Sequence, residues 1–291
     1  MNTNSSSVKA KKGLILEGGS MRGMFSCGII DVFLENGITF DGAVGVSAGA
    51  VFGCNLKSKQ KGRALRYNKM FCKDKRYASM RNFIRTGDVY GAEFCYREIP
   101  DRLDVFDRET FAADPMEFYI VATDVETGRP VYHKCKDGGE EDIQWMRASA
   151  SMPLASKIVE IGDRKLLDGG MADSIPVKFL ERRGYDRNIA ILTQPLDYEK
   201  KKNRFLGLIR VVYRKFPQLI KSVATRHLRY NRTTAYIRER ELSGDLLVIR
   251  PPEALNIGSV EHDPDELDRV YEIGRKVALE RLDEIKAWLG I

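Results

Sequence analysis

The sequence predicts an α/β fold assembled from parallel strands and helical crossovers. Three observations carry that expectation. Short apolar runs at 13–17 and 40–46 each end in a turn containing glycine, as buried strands entering loops do. Apolar residues at helical spacing fill the interval between them, and a second helix-compatible stretch follows. Isolated apolar runs recur at 118–123 and 189–193, an alternation that suits strands buried in a parallel sheet.

In order, Gly13 to Glu17 is read as the first strand and runs into Gly18 and Gly19. Met24 to Asn36 is a helix with Phe25, Ile29, Val32 and Phe33 on its apolar side, stopped by Asn36 and Gly37. Phe40 to Val46 is the second strand and Ala48 to Leu56 the second helix, giving a βαβ unit with the usual right-handed crossover. Short helices at 64–70 and 94–103 precede a strand at Phe118–Thr123, a turn, and a return strand at Val131–Lys134. Ile143 to Ala150 is helical, and Lys165 to Leu167 leads into Asp168. Pro176 opens a helix reaching Arg182. Past Ile189–Thr193, a helical pattern covers 205–216 and Pro217 restarts it. Leu246–Ile249 is a final strand, and Asp265–Gly290 reads as one amphipathic helix.

A chain of 291 residues with 43% hydrophobic content can bury one large core. Residues 1–12 are expected to be a disordered lead-in, since they lack the apolar centre of a signal peptide. Residues 13–195 are expected to form the α/β core, and 196–291 a basic helical region with a terminal strand and helix packed on it. No apolar run approaches the length of a membrane span. Five cysteines without a C-x-x-C pair suit reduced thiols, so a cytoplasmic setting, peripheral at the inner membrane surface, is expected. Thirteen Lys/Arg against two acidic residues between Tyr198 and Arg240 suggest an anionic membrane surface as partner. Tyr213, Tyr230 and Tyr236 interleave with these cations, but nucleic acid is the less favoured partner, because Phe205, Leu208, Ile209 and Val212 suit an interfacial helix. No His/Cys cluster has ligand spacing, so neither a metal nor a cofactor is expected.

Gly45, Val46, Ser47, Ala48 and Gly49 fit the G-x-S-x-G elbow, which holds a serine on a sharp strand-to-helix turn. Gly18, Gly19, Ser20, Met21, Arg22 and Gly23 follow a strand and open a helix, so their amides could hold an anion. Ser20 breaks the dinucleotide-binding pattern, and the lysine of a P-loop is missing; an oxyanion hole fits better. Asp168, Gly169 and Gly170 place a carboxylate at a strand end, where it could stand beside Ser47 with no histidine between.

These three motifs, in this order, resemble the patatin-like phospholipase family over residues 13–195. Glu17 to Gly23 is similar to the family's Asp-Gly-Gly-Gly-x-Arg-Gly loop, with Glu17 and Ser20 as departures, and residues 148–153 look like the segment before its aspartate. The resemblance implies a three-layer α/β/α fold with a mostly parallel central sheet. It also implies hydrolysis of phospholipid, lysophospholipid or other acyl esters by a Ser47–Asp168 dyad through an acyl-enzyme. The oxyanion would rest on Gly18, Gly19, Ser20, Arg22 and Gly23, with Gly45, Gly49, Gly169 and Gly170 as supporting turns. If Ser20 needs a positive φ, it carries strain. His227 and His262 keep open a Ser-Asp-His esterase, and a non-catalytic membrane- or anion-binding protein is the remaining alternative. His133 reads as structural.

Overall fold

The computed structural model describes residues 10–291. Eight strands form one sheet: β1 (Lys11–Leu16), β2 (Gly42–Val46), β3 (Glu117–Asp124), β4 (Pro130–Lys134), β5 (Val159–Ile161), β6 (Arg164–Asp168), β7 (Tyr185–Ile191) and β8 (Leu247–Ile249). Their order is β5-β6-β3-β2-β1-β7-β8, with β4 also on β3. The central run from β3 through β8 is parallel, while β4, β5 and β6 pair antiparallel. The expected mostly parallel central sheet is therefore present.

Strand alternation divides the core into two layers. Leu14, Leu16, Ala43, Phe118 and Ile120 pack toward one face. Ile15, Val44, Val46, Tyr119 and Val121 pack toward the other. The first face is covered by α1 (Gly23–Glu35), α2 (Ala48–Lys57) and α3 (Arg63–Phe71). Two short helices, α4 (Met80–Thr86) and α5 (Arg108–Ala113), flank a ten-residue π-helical segment at Phe94–Leu103, and α6 (Glu140–Ser149) follows β4. The second face takes α7 (Val177–Glu181) and the long α9 (Pro217–Leu242), which follows α8 (Leu206–Val212).

The chain ends in α10 (Pro264–Glu280) and α11 (Leu282–Leu289). The periodicity of 265–290 predicts one helix, but it breaks at Arg281, whose φ of −108° leaves the helical region. The Arg281 guanidinium is drawn to the Val248 carbonyl (2.6 Å), tying the break to β8. Helix α10 crosses α1 almost backbone to backbone. A Cβ on Gly28 would lie 2.1 Å from the Tyr271 carbonyl, and one on Gly274 2.0 Å from that of Phe25.

Residues 1–9 of the expected lead-in lie outside the described residues. Lys11 and Lys12 belong to the sheet instead: both pair with β7, and the Lys12 amide donates to Asp41 Oδ2 at 2.7 Å. The β5–β6 hairpin is also longer than the run at 165–167 suggests, because Val159–Ile161 pairs back on it.

Candidate functional site

Strand β2 ends at Val46 and α2 starts at Ala48, so Ser47 is the whole of the turn. Its backbone sits at φ 55°, ψ −122°, a strained setting for a residue with a side chain. The elbow closes because its glycines leave no room for a Cβ: at Gly45 it would lie 2.3 Å from the Gly49 carbonyl, and at Gly49 2.4 Å from that of Leu16. The Ser47 amide donates to Ser149 Oγ (2.8 Å), whose own proton goes to the Val121 carbonyl (2.6 Å).

Sheet register brings Asp168 to the same place. Val46 pairs with Val121, and Asp168 pairs with the next β3 residue, Ala122. Asp168 is only 1% exposed. Its Oδ1 accepts from the Gly170 amide at 2.7 Å, and the Thr123 hydroxyl donates to its carbonyl at 2.8 Å. Burial raises the Asp168 pKa, against the pull of the Arg226 charge, the Ser47 hydroxyl and the Gly170 amide. Asp168 Oδ2 itself is buried with no hydrogen-bond partner among the described residues. Nucleophile–base pairs commonly tighten only when substrate binds.

The loop after β1 stands against the elbow. A Cβ on Gly18 would lie 2.9 Å from Ser47 Cβ. The amides of Gly18 and Gly19 make no backbone hydrogen bond among the described residues, and Ala48, first in its helix, has no intrahelical acceptor. Ser20 does adopt a positive φ, at 50°. Arg22 turns its guanidinium toward Gly19, Gly23 opens α1, and Gly169 and Gly170 continue from Asp168 as a single 3₁₀ turn.

Two residues outside the predicted set hold this arrangement. Ser149 fixes the elbow amide, and its place within the small-residue stretch 148–153 was the available signal. Glu17, 3% exposed, accepts from the Thr193 amide and the Tyr230 hydroxyl, both at 2.7 Å, and so anchors the loop to the segment just after β7 and to α9.

An apolar cleft of about 120 Å³ opens beside Ser47 and Ser20. Phe52, Tyr67, Tyr96, Ile99 and Met146 line it, a wall suited to an acyl chain.

The histidines lie elsewhere. His133 bonds Asp142 (2.7 Å), and His262 Nδ1 meets the Cys72 carbonyl (2.5 Å). His227 Nδ1 is buried without a partner. No histidine bonds Ser47 or Asp168 among the described residues. His133, Cys135 and Asp142 converge with ligand atoms within 4.8 Å of one another, a grouping that their spacing along the chain does not announce. Asp142 is already engaged, however, by His133 and by the amides of Lys136, Asp137 and Gly138, so it works as the anchor of that turn.

A serine on a strand-to-helix elbow, facing a buried carboxylate from the same sheet, is an arrangement that suits serine acyl hydrolases. Residues 14–180 match the model of the patatin-like phospholipase family, and the chain belongs to that family. Residues 216–290 match a domain of unknown function, DUF6363. The chain is 25% identical to the uncharacterized protein YjjU of Escherichia coli, over 90% of this chain and 74% of that one. It is 27% identical to lysophospholipase nte1 of Aspergillus terreus, over 94% of this chain but 18% of that protein. For the Aspergillus fumigatus lysophospholipase nte1 the figures are 30%, 64% and 12%. The chain thus spans less than a fifth of these fungal relatives' length. No helix among the described residues is long and apolar enough to cross a membrane.

Proposed function

We propose that the protein hydrolyses acyl esters of phospholipids or lysophospholipids with Ser47 as nucleophile and Asp168 as base. The observation that carries this is the convergence, by strand register, of a strained strand-end serine and a buried carboxylate whose Oδ2 is left without a hydrogen-bond partner among the described residues. Ser47 Oγ attacks the ester carbonyl as its proton passes to Asp168, and the oxyanion takes the amides of Gly18, Gly19, Ser20 and Ala48. Asp168 returns the proton to the leaving alcohol, and an acyl-Ser47 ester remains. Water then attacks with Asp168 again as base, releasing fatty acid and free serine. Burial supports the basicity required, because it lifts Asp168 toward the working pH. The acyl chain lies in the cleft beside Ser47. The names of the fungal relatives agree with a lysophospholipid substrate.

The setting at a membrane is a second part of the reading. Helix α8 and its flank leave Phe205, Leu208, Val211 and Val212 at 50%, 52%, 68% and 55% exposure, while Leu206 and Ile209 are buried. Exposed Arg204, Arg210, Arg214 and Lys215 surround that face. Apolar side chains ringed by cations suit an anionic lipid surface. Fatty-acid release from a lipid panel, by the protein and by Ser47→Ala, tests the hydrolase; no Ser47-dependent release from any ester would leave the non-catalytic binding alternative.

A further inference from the structure

Three cations converge beside the proposed catalytic pair, and two of them come from the chain beyond residue 195. Arg22 Nη2 stands 3.2 Å from where a Cβ on Gly19 would be, and Arg226 Nη2 2.9 Å from the same position on Gly170. The Lys200 ammonium lies 4.4 Å from the Tyr230 ring centroid and 5.4 Å from that of Tyr198. Burial first, then Arg226 and Arg22, push Lys200 down to about 8, while Glu17 and Asp168 pull it up.

The carboxylates within the cluster direct their hydrogen bonds to neutral donors rather than to the three cations. Glu17 gives one oxygen to Thr193 and the other to Tyr230, and Asp168 gives Oδ1 to Gly170. None of the three cations forms a salt bridge among the described residues. The Nε–H donors of Arg22 and Arg226 are buried without partners, as is His227 Nδ1. Buried guanidinium donors left open call for an acceptor. A cavity of about 300 Å³, lined by Lys200, Asn203, Arg226 and His227, opens at this point, with exposed Glu199 also on its wall.

We infer that this cavity is a subsite for the phosphate of a phosphate-bearing acyl ester, held by Arg226 and Lys200. The guanidinium fork suits phosphate oxygens, and the ammonium adds a point charge. Arg226 links the two places, since it lines the cavity and also touches the turn after Asp168, so a phosphate held there would be presented from the Asp168 side of the site. Headgroup selection then belongs to the C-terminal part of the chain, outside residues 14–180 matched by the patatin-like phospholipase model. The inference rests on the hydrolase reading above, since it concerns which ester Ser47 is given. Inorganic phosphate has the same chemistry as a headgroup, so the two must be separated by experiment.

The test compares kcat/KM on a monomeric 1-acylglycerol 3-phosphate with that on the monoacylglycerol of the same chain. The full-length protein is expected to prefer the phosphate ester by at least about 10-fold. Arg226→Gln and Lys200→Gln should each collapse that ratio. The ratio is the readout because both cations also act on Asp168, an effect shared by the two substrates. Inorganic phosphate should compete with the phosphate ester, and less well in Arg226→Gln. A ratio near one in the parent protein, or one unchanged in both variants, overturns the subsite; phosphate inhibition without ester preference marks a free-anion site and overturns it equally. Fluorophosphonate labelling of Ser47 is followed in parallel. No labelling and no turnover of either ester overturns the hydrolase reading, and the subsite with it, whereas labelling with equal turnover of both overturns the subsite alone.

Discussion

Ser47 and Asp168 are neighbours because consecutive residues of one strand place them. Val121 pairs with Val46, just before the serine, and Ala122 pairs with Asp168 itself. The meeting therefore depends on β3 register, and a slip of one residue would separate the pair.

Ser149 is expected to matter without touching substrate. Ser149→Ala removes the acceptor of the Ser47 amide and the donor to Val121, at a cost of about 1 kcal/mol in stability. Loosening the elbow should lower kcat by roughly 10- to 100-fold with KM little changed. Steady-state kinetics beside a melting curve check this. Unchanged kcat would show that the elbow holds without that bond.

Asp168 ties activity to pH. It must be ionised to accept the Ser47 proton, and burial lifts it above its ordinary value of 3.8. The acid limb of kcat/KM is therefore expected above the usual carboxylate range. Arg226 holds the group down, so Arg226→Gln should move the limb to higher pH. A limb at the ordinary carboxylate position, unmoved by Arg226→Gln, would contradict the assignment.

The same burial predicts a trade between stability and activity. A raised folded pKa means that the folded protein binds this proton more tightly than the unfolded chain. The Asp168 contribution is thus fully present below 3.8 and is lost as pH rises through the folded value. At neutral pH the ionised carboxylate is a net cost. Asp168→Asn should raise Tm at pH 7 while hydrolysis falls by about 10²–10⁴-fold. Calorimetry at pH 7 would tell against this if the variant melted lower.

Helix α8 should govern lipid-surface binding. Leu208→Asp with Val211→Asp alters only exposed positions, so folding should persist. Flotation with anionic vesicles is expected to fall sharply, and parent binding to weaken with salt. Equal flotation of variant and parent would exclude this face as the contact.

The parts legible in the sequence were those with local signals. The elbow, the glycine loop and the turn after Asp168 are short, and their glycines announce close backbone approach at fixed offsets. The strand and helix alternation followed from periodicity in the same way. What stayed hidden was long-range. The Ser47–Ser149 bond joins residues 102 apart, and Glu17 meets Tyr230 across 213 positions. Neither can be inferred before sheet register and the course of α9 are known. The Arg226 and Lys200 cluster was visible only as part of a basic stretch, because which of its cations turn inward depends on packing. The break at Arg281 escaped because the apolar periodicity continues across it.

The most direct test of the account is peptide mapping of a fluorophosphonate adduct on the parent protein, Ser47→Ala and Asp168→Asn. The account predicts one adduct, on Ser47, absent from Ser47→Ala and formed about 10²–10⁴-fold more slowly in Asp168→Asn. An adduct on another residue, or undiminished labelling of Ser47 in Asp168→Asn, would contradict it.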